Sequence, residues 1–148
     1  MIEKSGYTMR NFSEDIRNPD LDENEKSGLR TLAHLLLPHV YISAPYTFPD
    51  PIENTNLAIR TADELYVSGV CVPIVPHLVM LWNTVTPHEP SFWSEYCLLV
   101  MRRCDAILRL GGISQGADKE IVEAKKVGIP IFYHVDELTT WLESDPDV

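Results

Sequence analysis

Cys104-Asp105-Ala106-Ile107-Leu108-Arg109-Leu110-Gly111-Gly112-Ile113-Ser114-Gln115-Gly116-Ala117-Asp118-Lys119-Glu120 passes from an apolar run through a glycine-rich turn into a charged, helix-forming segment. Ala106–Leu110 reads as a strand, Gly111–Ala117 as a turn, and Asp118–Val127 as a helix that Gly128 closes. The same strand–helix alternation extends in both directions. Downstream it predicts a strand over Ile129–Tyr133 and a last helix over Asp136–Glu143. Upstream it predicts a helix over Phe92–Arg103 and a connection over residues 76–91 rich in Pro and His. Before these come a strand at Val70–Val75 and a helix at Asn54–Ser68, with Leu57, Ala58, Ala62 and Leu65 on one stripe and Gly69 as its stop. Val40–Ala44 reads as a strand broken by Pro45. The apolar residues Leu29, Leu32, Ala33, Leu35 and Leu36 fit a helix from Asp22 to Leu37, ended by Pro38.

Strands that alternate with helices imply right-handed crossovers and a parallel sheet covered on both faces. The expected class is therefore α/β, with four to five short, evenly apolar strands and helices on both sides. Length predicts one domain over residues 22–148, with 22–39 as an N-terminal helical extension and 1–21, polar and without periodicity, as a flexible segment. In such sheets ligands bind beyond the carboxyl ends of the strands, where strand order reverses. Two loops of suitable chemistry leave strand ends there: Ser43–Asp50 and Gly111–Glu120.

The composition is that of an ordinary globular chain, 45% hydrophobic and 23% charged, so neither a disulfide scaffold nor a metal is needed for folding. A net charge of −10 argues against duplex nucleic acid, whose phosphates need clustered Lys and Arg. It leaves room for a small anion held by a few backbone N–H groups. Cys71, Cys97 and Cys104 form no CxxC or metal-like spacing, and Cys71 and Cys104, beside apolar runs, read as small core residues. The five His are scattered and give no zinc site. No apolar run approaches the roughly 20 residues that span a bilayer. With no basic-then-apolar start either, cytoplasm is the expected compartment.

The glycines of the 111–117 turn let a backbone approach a ligand, and a helix start offers free N–H groups to an anion such as phosphate. A plain connecting loop would share these features. It is not a Walker loop, since Gly-Lys-Ser/Thr is absent. Glu120 is open to two readings. It can be a first-turn carboxylate complementing the helix dipole, although Ala117 rules out a capping box. It can also attack the anomeric carbon of a ribosyl group, whose transition state is cationic.

Of the other candidates, Tyr41 reads as sheet packing and Tyr46, after Pro45, as a residue that lines a pocket or stacks on a base. Asp105 reads as a structural cap. His77 lies just past a strand end, on the ligand side, and is either functional or a hydrogen-bonded structural His. Trp82, Phe92, Trp93 and Tyr96 read as core or subunit interface, and residues 78–91 as a segment able to close over a ligand.

Tyr41-Ile42-Ser43-Ala44-Pro45-Tyr46-Thr47, Asn54 with Ala58, Ala62, Leu65 and Gly69, Cys104-Asp105-Ala106, Ser114-x-Gly116-Ala117-x-x-Glu120-x-x-x-Ala124 and Gly128-Ile129-Pro130 occur in this order. Over roughly residues 40–133 the chain resembles the nucleoside 2-deoxyribosyltransferase superfamily. It is most similar to the uncharacterised deoxyribosyltransferase-like branches and to the nucleoside 5′-monophosphate N-glycosidases. The resemblance implies a flavodoxin-like parallel sheet and a homodimer or higher homo-oligomer in which a neighbouring subunit often completes the site. It implies no cofactor, and a Glu nucleophile at Glu120.

It also implies a role for the position six before the nucleophile. There transferases acting on free nucleosides carry Asp for the 5′-hydroxyl, and monophosphate hydrolases carry Ser for the phosphate. Here that residue is Ser114, and a hydroxyl can donate to a phosphate that a carboxylate would repel. The expected function is thus a hydrolase of the N-glycosidic bond in a (deoxy)nucleoside 5′-monophosphate, with a small-molecule nucleotide or nucleoside as partner. Ser43, Tyr46, His77, Ser114, Gly116 and Ala117 would contact the substrate. The alternatives are a nucleoside 2-deoxyribosyltransferase and a non-catalytic nucleotide- or nucleotide-sugar-binding module.

Two departures stand out. Cys97 occupies the position of an Asp that the family uses to orient the sugar or protonate the base, which leaves His77, His88 or Glu89 as other proton sources. Tyr46 stands in the first loop where the monophosphate hydrolases tend to carry a basic residue.

Overall fold

A computed structural model describes residues 12 and 14–144. Of these, the described residues up to Leu37 form one compact unit and Pro38–Ser144 a second. Most of the segment expected to be flexible, residues 1–11 and 13, lies outside the described residues. From Glu14 onward the chain makes turns, with Asn18 N–H donating to Asp15 O at 3.0 Å. Helix α1, Glu23–Leu36, starts at a capping box: Asp22 Oδ1 accepts from Glu25 N–H, and Glu25 Oε2 accepts from Asp22 N–H, both at 2.8 Å.

The second unit holds a four-stranded, all-parallel sheet in the order β2-β1-β3-β4: β1 His39–Ser43, β2 Val72–Ile74, β3 Ala106–Arg109 and β4 Ile131–Phe132. Around it lie α2 Pro51–Val67, α3 Val79–Val85, α4 Pro90–Met101, α5 Gln115–Val127 and α6 Val135–Glu143. This is the expected α/β, flavodoxin-like arrangement. The chain steps from β1 out to β2 and then back across β1 to β3, so strand order reverses between β1 and β3. Among the described residues no helix is long and apolar enough to cross a membrane.

Alternation along the strands builds two cores. Val40, Ile42, Ala106 and Leu108 pack with Ala58, Ala62 and Leu65 of α2 and Leu138 of α6. Tyr41 and Ile107, one residue out of phase, pack with Met101 of α4 and with Ile121 and Ala124 of α5. Cys71 and Cys104 are buried as expected. Asp105 is structural, its Oδ2 accepting from His39 N–H at 2.8 Å at the foot of β1.

Two segments differ from expectation. The 76–91 connection is partly helical: a 3₁₀ turn at Pro76–Leu78 leads directly into α3. The prolines at 76 and 90 start helices there, because the first helical position needs no N–H donor. Helix α5 begins at Gln115, three residues before the expected start, since Ser114 is its N-cap and accepts from Ala117 N–H at 3.2 Å. Glu120 consequently sits in the second turn, beyond the helix end where a dipole contact would matter.

Leu138 of α6 is fully buried in the core that α2 and α6 form against β1 and β3. Leu138→Ala is expected to lower unfolding free energy by about 2–5 kcal/mol. Urea denaturation followed by far-UV circular dichroism would measure it, with a reduced midpoint and an unchanged slope.

Candidate functional site

Strand reversal puts the carboxyl ends of β1 and β3 side by side, with Ser43 and Arg109 as register partners. The loops that follow touch. Gly111 has φ +75°, and a Cβ there would lie 3.0 Å from Pro45 Cδ, so a side chain at 111 would drive the two loops apart. The third loop joins them through His77, whose Nε2 lies 3.0 Å from Pro45 O. Burial lowers the His77 pKa, and the carbonyl partner assigns the ring proton to Nε2. Nδ1 is buried without a hydrogen-bond partner. The Tyr46 ring meets His77 edge-on at 5.9 Å, and its backbone is held by Asn54 Nδ2, which donates to Tyr46 O at 3.0 Å and Phe48 O at 2.8 Å.

Glu120 reaches this junction from α5. Its Oε1 accepts from Ser43 Oγ at 3.5 Å, while Oε2 is buried with no hydrogen-bond partner. The Tyr41 hydroxyl, on the same face of β1 as Ser43, is also buried without a hydrogen bond, yet it lies near enough to help hold the carboxylate's charge. Burial pushes the Glu120 pKa up from 4.5 to about 7, against the pull of Tyr41, Ser43 and the Arg109 guanidinium. The same burial, with Glu120 beside it, drives the Tyr41 hydroxyl far above its usual range and the Cys97 thiol up to about 11. Cys97 is therefore a protonated thiol at neutral pH.

Arg109 is the residue that the sequence reading did not single out. A charged side chain in a strand covered on both faces was itself the signal, and the guanidinium is indeed 9% exposed. It donates from Nη1 to Leu110 O and from Nη2 to Gly112 O at 2.8 Å, and lies 3.5 Å from Asp118 Oδ1. In a trans peptide C=O and N–H point opposite ways. Turning the carbonyls of Leu110 and Gly112 toward Arg109 thus turns the N–H groups of Gly111 and Ile113 away from it. Among the described residues no protein acceptor meets the N–H groups of Gly111, Gly112, Ile113 or Ser114. Ser114 Oγ accepts from its own helix, and its hydroxyl hydrogen stays free to donate outward. Gly116 and the buried Ala117 lie in the first turn beside it.

A cleft of about 220 Å³ opens next to this junction, between the end of β2, α3 and α4. Its walls include Tyr41, Ile74, Val79, Trp82, Tyr96 and Cys97. Glu120 is not itself in the wall; Tyr41 and Cys97, which both interact with it, separate the carboxylate from the cleft. Trp82 meets Tyr96 edge-to-face at 5.3 Å and Trp93 at 5.1 Å. Trp93 is anchored in turn by donating from Nε1 to Asn83 Oδ1 at 2.7 Å. Trp82 and Tyr96 thus line a concavity, while Phe92 stacks on His88 at 3.9 Å outside it. Glu95, on α4 near Cys97 in sequence, is exposed. Of the expected contacts, Ser43 and Glu120 are brought together, Ser114, Gly116 and Ala117 form one helix start, and Tyr46 and His77 form a third cluster around Pro45.

The model of a domain family of unknown function, DUF7768, matches residues 38–134, nearly the whole sheet unit. No curated protein matches the chain.

The raised pKa has a consequence for stability. Between about pH 4.5 and 7 the folded protein holds a proton on Glu120 that the unfolded chain has released. Stability is therefore greatest below that window and falls as pH rises through it. Glu120→Gln removes this dependence. Denaturant titrations of both proteins from pH 4 to 8 should show the unaltered protein losing, relative to the variant, on the order of 3 kcal/mol across the window.

Proposed function

The chain belongs to the DUF7768 family, a domain of unknown function, and within it we propose a hydrolase that cleaves the N-glycosidic bond of a (deoxy)nucleoside 5′-monophosphate. One observation carries the reading: a carboxylate buried at the strand-reversal point, with one oxygen unpartnered, beside an aromatic cleft and a helix start with free donors. A buried carboxylate with an open lone pair is suited to a carbon that becomes cationic. The resemblance to the nucleoside 2-deoxyribosyltransferase superfamily supports the same assignment.

In this proposal the 5′-phosphate lies against Ser114 and the N–H groups between Gly111 and Gly116, and the sugar crosses Ser43 to meet Glu120. The Glu120 carboxylate attacks C1′ as the bond to the base nitrogen breaks, and the departing base takes up a proton. Water then attacks C1′, releasing ribose 5-phosphate or its deoxy form and restoring the carboxylate. Tyr41 and Ser43 orient Glu120. His77 acts by holding the β1 loop through Pro45 O, and Tyr46 edges the entrance. Cys97 stands where the resemblance implies a carboxylic acid, and its thiol is too weak an acid to serve. The base therefore takes its proton from water in the cleft, which makes turnover slow. Ser114 favours this hydrolase over a transferase of free nucleosides. Cys97 favours the second reading, a nucleotide-binding module that does not turn over. A homodimer or larger homo-oligomer in the cytoplasm completes the proposal; exposed Leu81 and Val85 of α3 offer an apolar surface for such contact.

Incubation with a panel of nucleoside 5′-monophosphates, followed by chromatography, should show free base, at a rate rising with pH as Glu120 ionises near 7. Glu120→Ala should abolish release while leaving the circular dichroism spectrum unchanged. Absence of release from every member by the unaltered protein would sink the hydrolase. Tight binding without product would select the binding module.

A further inference from the structure

The cleft beside Glu120 carries few polar side-chain atoms. Tyr41, whose hydroxyl is buried without a hydrogen-bond partner, and Cys97, with its thiol, belong to its wall. The remainder, including Ile74, Val79, Trp82 and Tyr96, presents aliphatic and aromatic surface, with no charged or amide side chain in the wall. At about 220 Å³ it is smaller than the roughly 300 Å³ at which sites for whole drug-sized ligands begin, so it suits one ring system and leaves the sugar and phosphate outside. Trp82 and Tyr96 are fixed by the edge-to-face chain that runs through Trp93 to Asn83, yet the two residues remain 44% and 38% exposed. A flat aromatic ring inserted here would cover them.

A pocket of this kind cannot read the hydrogen-bonding edge of a base with amide or charged side chains. It can distinguish rings by how much apolar surface they bury. We infer that the cleft takes an aromatic aglycone by stacking and burial, and that it selects a ring bearing an apolar substituent over the same ring without one. The inference builds on the proposed function by naming the class of base, a methyl- or alkyl-substituted one, and it has a measure that does not depend on catalysis.

The probes are thymidine 5′-monophosphate and 2′-deoxyuridine 5′-monophosphate, which differ by a single ring methyl. With Glu120→Gln to prevent turnover, calorimetry should show the thymidine nucleotide binding about 10-fold or more tightly, within the 10–200-fold that one methyl group gives in an apolar pocket. Val79→Thr, nearly isosteric but carrying a hydroxyl, should reduce that ratio and leave the deoxyuridine affinity close to unchanged. Trp82→Ala should weaken both nucleotides. Equal affinities, tighter deoxyuridine binding, or no binding of either would overturn the inference. Incubating the unaltered protein with the thymidine nucleotide separates the two readings. Selective binding without released thymine removes the hydrolase and keeps the selective cleft; released thymine without selectivity does the reverse.

Discussion

A carboxylate removed from water with only part of its hydrogen-bonding capacity met is expensive, and the switch point of this sheet is built around one. Glu120 receives a long hydrogen bond from Ser43, the help of the neighbouring Tyr41 hydroxyl and the charge of Arg109, and still keeps an open oxygen. Partial compensation of this sort raises the pKa instead of unfolding the protein, because the group can take up a proton when the charge becomes too costly. The rest of the fold has to hold Glu120 in place against the pull of solvent. Ile121 and Ala124 do so by locking α5 onto the Tyr41 face of the sheet.

Arg109 connects this electrostatic demand to the backbone. A buried cation whose charge acts on Glu120, it is tied to two carbonyls of the β3–α5 loop and approaches Asp118 at the head of α5. Breaking one partner of such an arrangement leaves a desolvated charge unmatched, which is why the loop and the charge pair are mutually dependent. The loop geometry that frees the N–H groups of Gly111 and Ile113 is the same geometry that satisfies the guanidinium. Pro45 adds a steric constraint, since its ring fills the space that a side chain at 111 would need.

Much of this is legible in the amino-acid sequence. The alternation of short apolar runs with helical periods predicts a parallel sheet, and Ser114 and Glu120 could be named from their place after the third strand. The start of α5 was not, because Gly116 reads as a turn breaker although a first helical turn tolerates glycine. α3 has no clear sequence signal because the prolines on both sides of it resemble stops, whereas they begin helices. Tyr41 packs in the sheet as expected, but its second property, a hydroxyl turned toward Glu120, depends on a residue 79 positions away and has no local signature. From sequence, the aromatic side chains at 82, 92, 93 and 96 read as core or interface. Which of them line a cleft is a matter of how α3 and α4 pack, and no periodicity reports that.

The identity of residue 97 governs how charge is distributed within such a site. A second carboxyl group at that position would face Glu120 across the Tyr41 hydroxyl. Two acids so close cannot both ionise, so the Glu120 pKa would rise beyond the value that burial alone produces. The thiol, held neutral by burial and by Glu120 itself, removes that repulsion. Glu120 can then carry its charge near neutral pH without a basic residue in the first loop, where Tyr46 stands. What is lost is a strong side-chain acid at the edge of the cleft. The site thereby keeps an ionisable carboxylate behind Tyr41 and Cys97, two side chains that also form part of the cleft's wall.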